Sequence, residues 1–420
     1  MTSKASYNEV FVWLWLPDET KPVVAGKITK VNKRVLFTYG QSYLDNPKAV
    51  PIYNKELPLQ SGVQEKNFGT EAMPGCIRDA APDAWGRRVI LNKLLGAKGK
   101  TVDPADLDEF TYLMESGSDR IGGLDFQLSA KSYEPRLAGQ ASLEELLHSA
   151  ELIEKGMPLT PELAQAINHG TSIGGARPKA LISDQATRYI AKFSSSTDQY
   201  NVIKAEYVAM RLARLCGLNV SGVKLASASG KDVLLIERFD RECKNEGWAR
   251  KLMLSALTLL NLDEMTPHYA SYEDLAELIR HRFTNPKATL QEMFGRIVFN
   301  ILCGNTDDHA RNHAAFWDGK HLTLTPAYDL CPQMRQGGEA SQAMMISGSD
   351  RSSRLTTCLA AAHRFMLSDT EARAIIDAQI VSINSNWDTV CNEADLSPID
   401  RILFRDRLFL NSYAFEGYDK

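Results

Sequence analysis

Residues Gly304 to Asn312 read G-N-T-D-D-H-A-R-N, and Asp329 follows after a stretch with a hairpin signature. A carboxylate, an amide and a second carboxylate in this order suit phosphoryl transfer. In the protein-kinase pattern an Asp accepts the proton of the substrate hydroxyl. An Asn five positions on binds magnesium, and an Asp on a second loop binds it too. Asp307, Asn312 and Asp329 fit those three roles. The base and the first metal ligand must project from one short loop toward the same phosphoryl group, and the second ligand closes the site from another segment. Between them, Ala314 to Thr325 places strand formers on both sides of Asp318-Gly319, a turn pair that would return Asp329 to the side of Asp307.

The same residues carry two other readings. Asp, Asn and Gly favour turns, so the run could be loop chemistry and nothing more. Alternatively Asp307, Asp308, His309 and His313 offer a His pair at helical spacing, as in a metal-dependent hydrolase. No Glu lies between the two His, so the H-E-x-x-H pattern is absent.

A glycine-rich run starts at His169, H-G-T-S-I-G-G-A-R-P-K. Gly174 and Gly175 would let the backbone approach phosphates closely, and Lys179 would add a positive charge. The run is neither a Walker loop nor G-x-G-x-x-G, and taken alone it reads as a turn. Its neighbours add to it. Residues 189–193, Y-I-A-K-F, form a strand-like segment around Lys192, the type of residue with which a kinase strand holds nucleotide phosphates. Glu206 lies on a helix expected over 201–215, where Ala205, Val208, Leu212 and Leu215 fall near one face. A strand Lys with a helix Glu is the kinase ion-pair arrangement, although a solvated Lys and a surface Glu would look the same. Residues 232–239 read as a buried strand. In a kinase-like order it leads into the hinge whose backbone meets the adenine, which makes Glu237 and Phe239 nucleotide-contact candidates.

The elements that must position these residues divide unevenly. Strands are expected over 9–16, 22–28 and 34–39, then a helix over 84–95 capped by Asp83, whose role is packing. Residues 117–125 read as a surface loop, and 130–140 as a linker. A capping box, Ser142 with Glu145, opens a helix over 143–153, and Thr160 with Pro161 opens another. Further helices are expected over 271–283, 290–303, 370–383 and 399–409. The fold class that follows is α+β, a two-lobed kinase-like arrangement with a strand-rich first part and a mostly helical second. Its expected segments are 1–130, a small β-rich subdomain; 131–240, with the glycine-rich loop; and 241–420, helical, with the catalytic and metal-binding loops.

Composition bounds the classes. At 420 residues the chain exceeds the ~250 at which single cores stop growing. A net charge of -4 argues against a nucleic-acid binder with its own basic surface. The seven cysteines form no C-x-x-C pair, as expected of reduced cytoplasmic thiols, and no apolar run approaches the ~20 residues of a membrane helix.

Seven segments, in order, resemble the HipA family of toxin kinases over nearly the whole chain: Leu57 to Gln60, P-D-A-W-G from Pro82, Gly117 to Gly123, S-I-G-G-A-R-P-K from Ser172, E-R-F-D-R from Glu237, T-D-D-H-A-R-N from Thr306, and Tyr328-Asp329. The resemblance implies a serine/threonine protein kinase using ATP and Mg2+. It implies a small helix-turn-helix antitoxin of HipB type as partner, with operator DNA reached through that antitoxin. It also implies a protein substrate among translation components, notably an aminoacyl-tRNA synthetase. By the same resemblance Asp307 is the base, Asn312 and Asp329 bind magnesium, Lys192 binds phosphate, and Lys179 is the loop lysine. Ser172 matches the serine that family members autophosphorylate, which ejects the loop and switches the kinase off. Two positions depart from the pattern. Many relatives carry Gln where this chain has Arg177, and Gly where it has Asp308, a second carboxylate that could compete for metal. A catalytically quiet co-repressor is the second reading, and a metal-dependent phosphohydrolase the third.

Overall fold

Alternating apolar residues build the first sheet, in which Val10, Val12 and Leu14 of β1 (Glu9–Leu14) are fully buried. Strands β2 (Val23–Val31), β3 (Arg34–Tyr39), β4 (Val63–Glu65) and β5 (Leu124–Gln127) complete it in the order β4-β3-β2-β1-β5, with antiparallel pairing throughout. The computed structural model describes residues 7–32, 34–65, 73–137, 141–167, 171, 174–184, 186–335 and 337–418. Within it, Met1–Thr197, Ala226–Leu254 and Trp317–Lys320 form one compact unit, and Asp198–Leu225, Ser255–Phe316 and His321–Lys420 form another.

A second sheet of the first unit runs β6 (Lys179–Ser183), β7 (Arg188–Phe193), β9 (Lys231–Glu237), β8 (Val223–Ala228) in spatial order. One face carries Ala180, Ala191, Phe193 and Val233. It packs against Trp85 and Val89 of the helix Ala84–Leu95, Leu146, Leu147, Ala150 and Ile153 of the helix Leu143–Lys155, and Ile167 of the helix Pro161–Ile167. The expected capping box forms: Ser142 Oγ accepts from Glu145 N and the Glu145 carboxylate accepts from Ser142 N. Residues 131–137 have no regular structure, yet Arg136 is pinned to Ser116 O, Phe126 O and Asp125.

The second unit is mostly helical. Pro286–Cys303 begins with proline, whose missing N–H costs nothing there, and is buried continuously from Met293 to Cys303. It packs on Tyr272–Arg282 and on Asp369–Glu393, which in turn packs on Val202–Leu215. The helix expected over 370–383 runs on to Glu393. Asn384 and Asn386 look like breakers, but their amides donate to Ile380 O and Ser382 O one turn back, while Trp387, Val390 and Cys391 are buried. The helix expected over 399–409 stops at Phe404, ahead of the left-handed backbones of Asp406 and Leu410. Among the described residues no helix is long and apolar enough to cross a membrane.

Candidate active site

In the second unit, Pro286–Cys303 ends at Gly304 in the left-handed region, φ 71°. A Cβ there would meet Leu408 O at 2.5 Å, so both the turn and the close approach require glycine. The chain then enters the Asp307 loop. Asp308 is 1% exposed, and its carboxylate accepts from Asn300 Nδ2 at 2.6 Å and from the Tyr272 hydroxyl, with His313 Nε2 at 2.9 Å. Asn305 Nδ2 bonds Asn300 Oδ1 at 2.9 Å and extends the scaffold. The second carboxylate is therefore anchored to the scaffold through Oδ2, which all three contacts share.

Asp307, one residue earlier, is on the exposed side of the loop. Its backbone carbonyl accepts from His309 N at 2.9 Å and from Asn312 Nδ2 at 3.2 Å. The amide nitrogen of Asn312 is thus engaged and its carbonyl oxygen can serve as a ligand. The hairpin strands Ala314–Trp317 and Leu322–Leu324 form as expected, and the Tyr328 hydroxyl then donates to Arg311 O at 2.7 Å, tying the Asp329 segment to the loop. Asp329 has φ 59°, an unusual backbone for a non-glycine residue, and its carbonyl accepts from Cys331 N at 3.0 Å. Desolvation raises the Asp307 pKa above the ordinary carboxylate value; His309 opposes this, while Asp329 and Asp308 add to it.

Two carboxylates that feel one another, beside an amide oxygen, are hard donors of the kind magnesium takes together with waters and phosphate oxygens. Among the described residues no group of three or more His, Cys, Asp and Glu could hold a metal by itself. The hydrolase arrangement lacks its geometry: His309 and His313 flank a single 3-10 turn, Ala310–Asn312, and share no α-helical face. His313 is buried against Asp308 and meets the Tyr272 ring edge-on.

In the first unit, β6 and β7 place Lys179 directly opposite Lys192, so both side chains leave the same face of the sheet, each almost fully buried. Lys179 Nζ bonds Gly174 O. The glycine-rich loop is held by residues to which the sequence reading gave only packing. Gly175 N donates to Asp83 Oδ2 at 2.8 Å, Trp85 N to Gly175 O at 3.1 Å, and Trp85 Nε1 to Lys179 O at 2.9 Å. The Asp83 side chain thus makes no cap bond to its helix. A Cβ on Gly86 would lie 2.2 Å from Thr171 O, so P-D-A-W-G is the loop's cradle. Ser172 lies outside the described residues. On β9, Glu237 pairs with Tyr189 and faces away from Lys192, so any Glu237 contact on the lysine face is through backbone; Phe239 follows just after the strand. Glu206 is 1% exposed on Val202–Leu215, and belongs to the second unit, whereas Lys192 belongs to the first.

The supposed surface loop 117–125 is instead interior. Arg238 bonds Asp240 at 2.8 Å and Asp119 at 3.0 Å, Arg241 bonds both at 2.9 Å, and Arg120 bonds Asp125 at 2.8 Å. Arg120 and Asp125 are fully buried. The charge alternation of E-R-F-D-R was the available signal; the burial was not legible.

Fold and site define an α+β protein of kinase-like class. Residues 19–127 match the model of the HipA N-terminal domain and 171–387, just over half the chain, that of the HipA-like C-terminal domain. The chain belongs to the HipA family of kinase toxins. Y4mE of Sinorhizobium fredii is 26% identical over 319 residues, covering 70% of this chain and 71% of that protein. The serine/threonine-protein kinase toxin HipA of Shewanella oneidensis is 26% identical over 178 residues, 38% of this chain and 40% of that one. The solved Shewanella oneidensis MR-1 complex of HipA, HipB and operator DNA superposes with a TM-score of 0.67 at 18% identity, covering 96% of this chain and 97% of that chain, and shares its fold.

Proposed function

We propose that this protein is an ATP-dependent serine/threonine kinase and the toxin of a toxin-antitoxin pair. The observation that carries this reading is the loop in which Asp308 is locked inside while Asp307 faces out beside Asn312 and Asp329. Asp307 takes the proton of the substrate hydroxyl as its oxygen bonds the γ-phosphorus. The bond from that phosphorus to the bridging oxygen breaks, and ADP leaves. Asn312 and Asp329 would hold magnesium, which when bound neutralises charge on the phosphates. Lys179, Lys192 and the backbone at Gly174 and Gly175 hold the phosphates, and the backbone at Glu237 and Phe239 meets the adenine. Ser172 is the chain's own acceptor. The protein substrate is a translation component, with an aminoacyl-tRNA synthetase the leading candidate. A HipB-like helix-turn-helix antitoxin is the partner, as in the solved relative, and operator DNA is reached through it.

The test is incubation of the unphosphorylated protein with labelled ATP and magnesium. Label on the wild type that disappears in Asp307→Asn and Ser172→Ala is the expected result. Bound ATP with no transfer would instead support the catalytically quiet co-repressor.

A further inference from the structure

A solvent-open cleft of about 180 Å³ lies on the surface of the second unit, against one face of the helix Val202–Leu215, with Arg214 and Glu393 exposed at its rim. Tyr207, Arg211 and Arg214 line it from the helix, Ser221 from the segment that follows, and Glu393 from the end of Asp369–Glu393. Arg211 makes a two-pronged pair with Glu393, Nε to Oε2 at 2.8 Å and Nη2 to Oε1 at 3.1 Å. Arg214 has no such partner among the described residues; its one hydrogen bond goes from Nη2 to Val220 O at 3.0 Å. Two guanidiniums and one carboxylate leave the cleft with an excess positive charge. Its position in the last turn lets Arg214 complement the helix dipole, but that explains neither the space nor the second arginine.

Size narrows the occupant. Pockets for drug-sized ligands run to roughly 300–1,000 Å³, so this smaller space suits a tetrahedral oxyanion with a short substituent better than a nucleotide. The guanidinium fork matches phosphate oxygens. The floor of the cleft is tied to the candidate active site: Ser221 N donates to Ala327 O at 3.0 Å and Ala327 N to Asn219 O at 2.7 Å, two residues before Asp329.

We propose that this cleft binds a small phosphate group through Arg214 and Arg211, and so braces the segment that carries Asp329. Glu393 competes with the anion for Arg211, which gives substitutions of opposite sign.

The experiment is calorimetric titration of the full chain with inorganic phosphate, in a saturating ATP analogue so that the Lys179–Lys192 pair is covered. Saturable binding should weaken at least about tenfold in Arg214→Gln and tighten severalfold in Glu393→Gln. A three-carbon phosphomonoester titrated in parallel separates the sources: tighter binding than inorganic phosphate assigns the site to a phosphorylated metabolite, and equal binding to free phosphate. No saturable binding by the wild type, or a shift in the same direction in both variants, overturns the proposal. Glu393→Gln keeps the test open if Arg214→Gln fails to fold. No transfer step is measured, so failure here is distinct from failure of the kinase reading.

Discussion

Each unit holds a cluster of carboxylates, and the two clusters behave in opposite ways. In the first, burial would push the carboxyl pKa values up, but the guanidiniums around Asp119, Asp125 and Asp240 win and hold all three low. In the second, Asp307 has carboxylate neighbours, opposed by His309, and among the described residues no arginine offsets its desolvation, so its pKa is raised. A cluster that neutralises itself locks chain segments together. A cluster in which neighbouring carboxylates raise one another's pKa favours a cation or a proton beside it, which is what a reacting site provides.

The contrast can be broken most directly at Asp307. Asp307→Asn should lower phosphate transfer by about 10²–10⁴-fold with no loss of melting temperature, because it relieves repulsion; transfer at the wild-type rate would erase the functional half of the comparison. Asp240→Asn should do the reverse, costing about 3–5 kcal/mol of stability in urea unfolding at pH 7. The folded Asp240 carboxyl is held below its unfolded value. Its contribution is therefore complete above about pH 4 and lost as pH falls through the lower folded value, so the gap between variant and wild type should narrow in acid. Asp308→Ala strands buried donors on Tyr272, Asn300 and His313, and should cost about 1–3 kcal/mol along with much of the transfer rate. An unchanged melting temperature would remove the anchor role. Smallest of all, Asp83→Ala frees Gly175 and should raise the KM for ATP about fivefold, the effect of roughly 1 kcal/mol, with kcat little changed.

Much was legible where local rules decide. β3 lies where expected, Ala84–Leu95 has its expected ends, and the Ser142 box and the Asp318-Gly319 hairpin form from nearby residues alone. The misreadings share a cause. Asp83 has the form of a helix cap, but its acceptor serves Gly175, 92 positions away. Residues 117–125 have loop composition and are interior because Arg238 and Arg241, more than a hundred positions away, neutralise them.

By its residue types and their spacing, the chain alone indicated the first three strands, most of the long helices, the hairpin before Asp329, and the candidate base, metal ligands and strand lysine. Those depend on short-range propensity and on chemistry carried within a few residues. Only the tertiary structure decided which of two adjacent aspartates faces solvent, that Lys179 stands opposite Lys192, and that P-D-A-W-G cradles the glycine-rich loop. Each of those outcomes is set by desolvation and by partners that the folded chain brings together, and neither can be read from the residue itself.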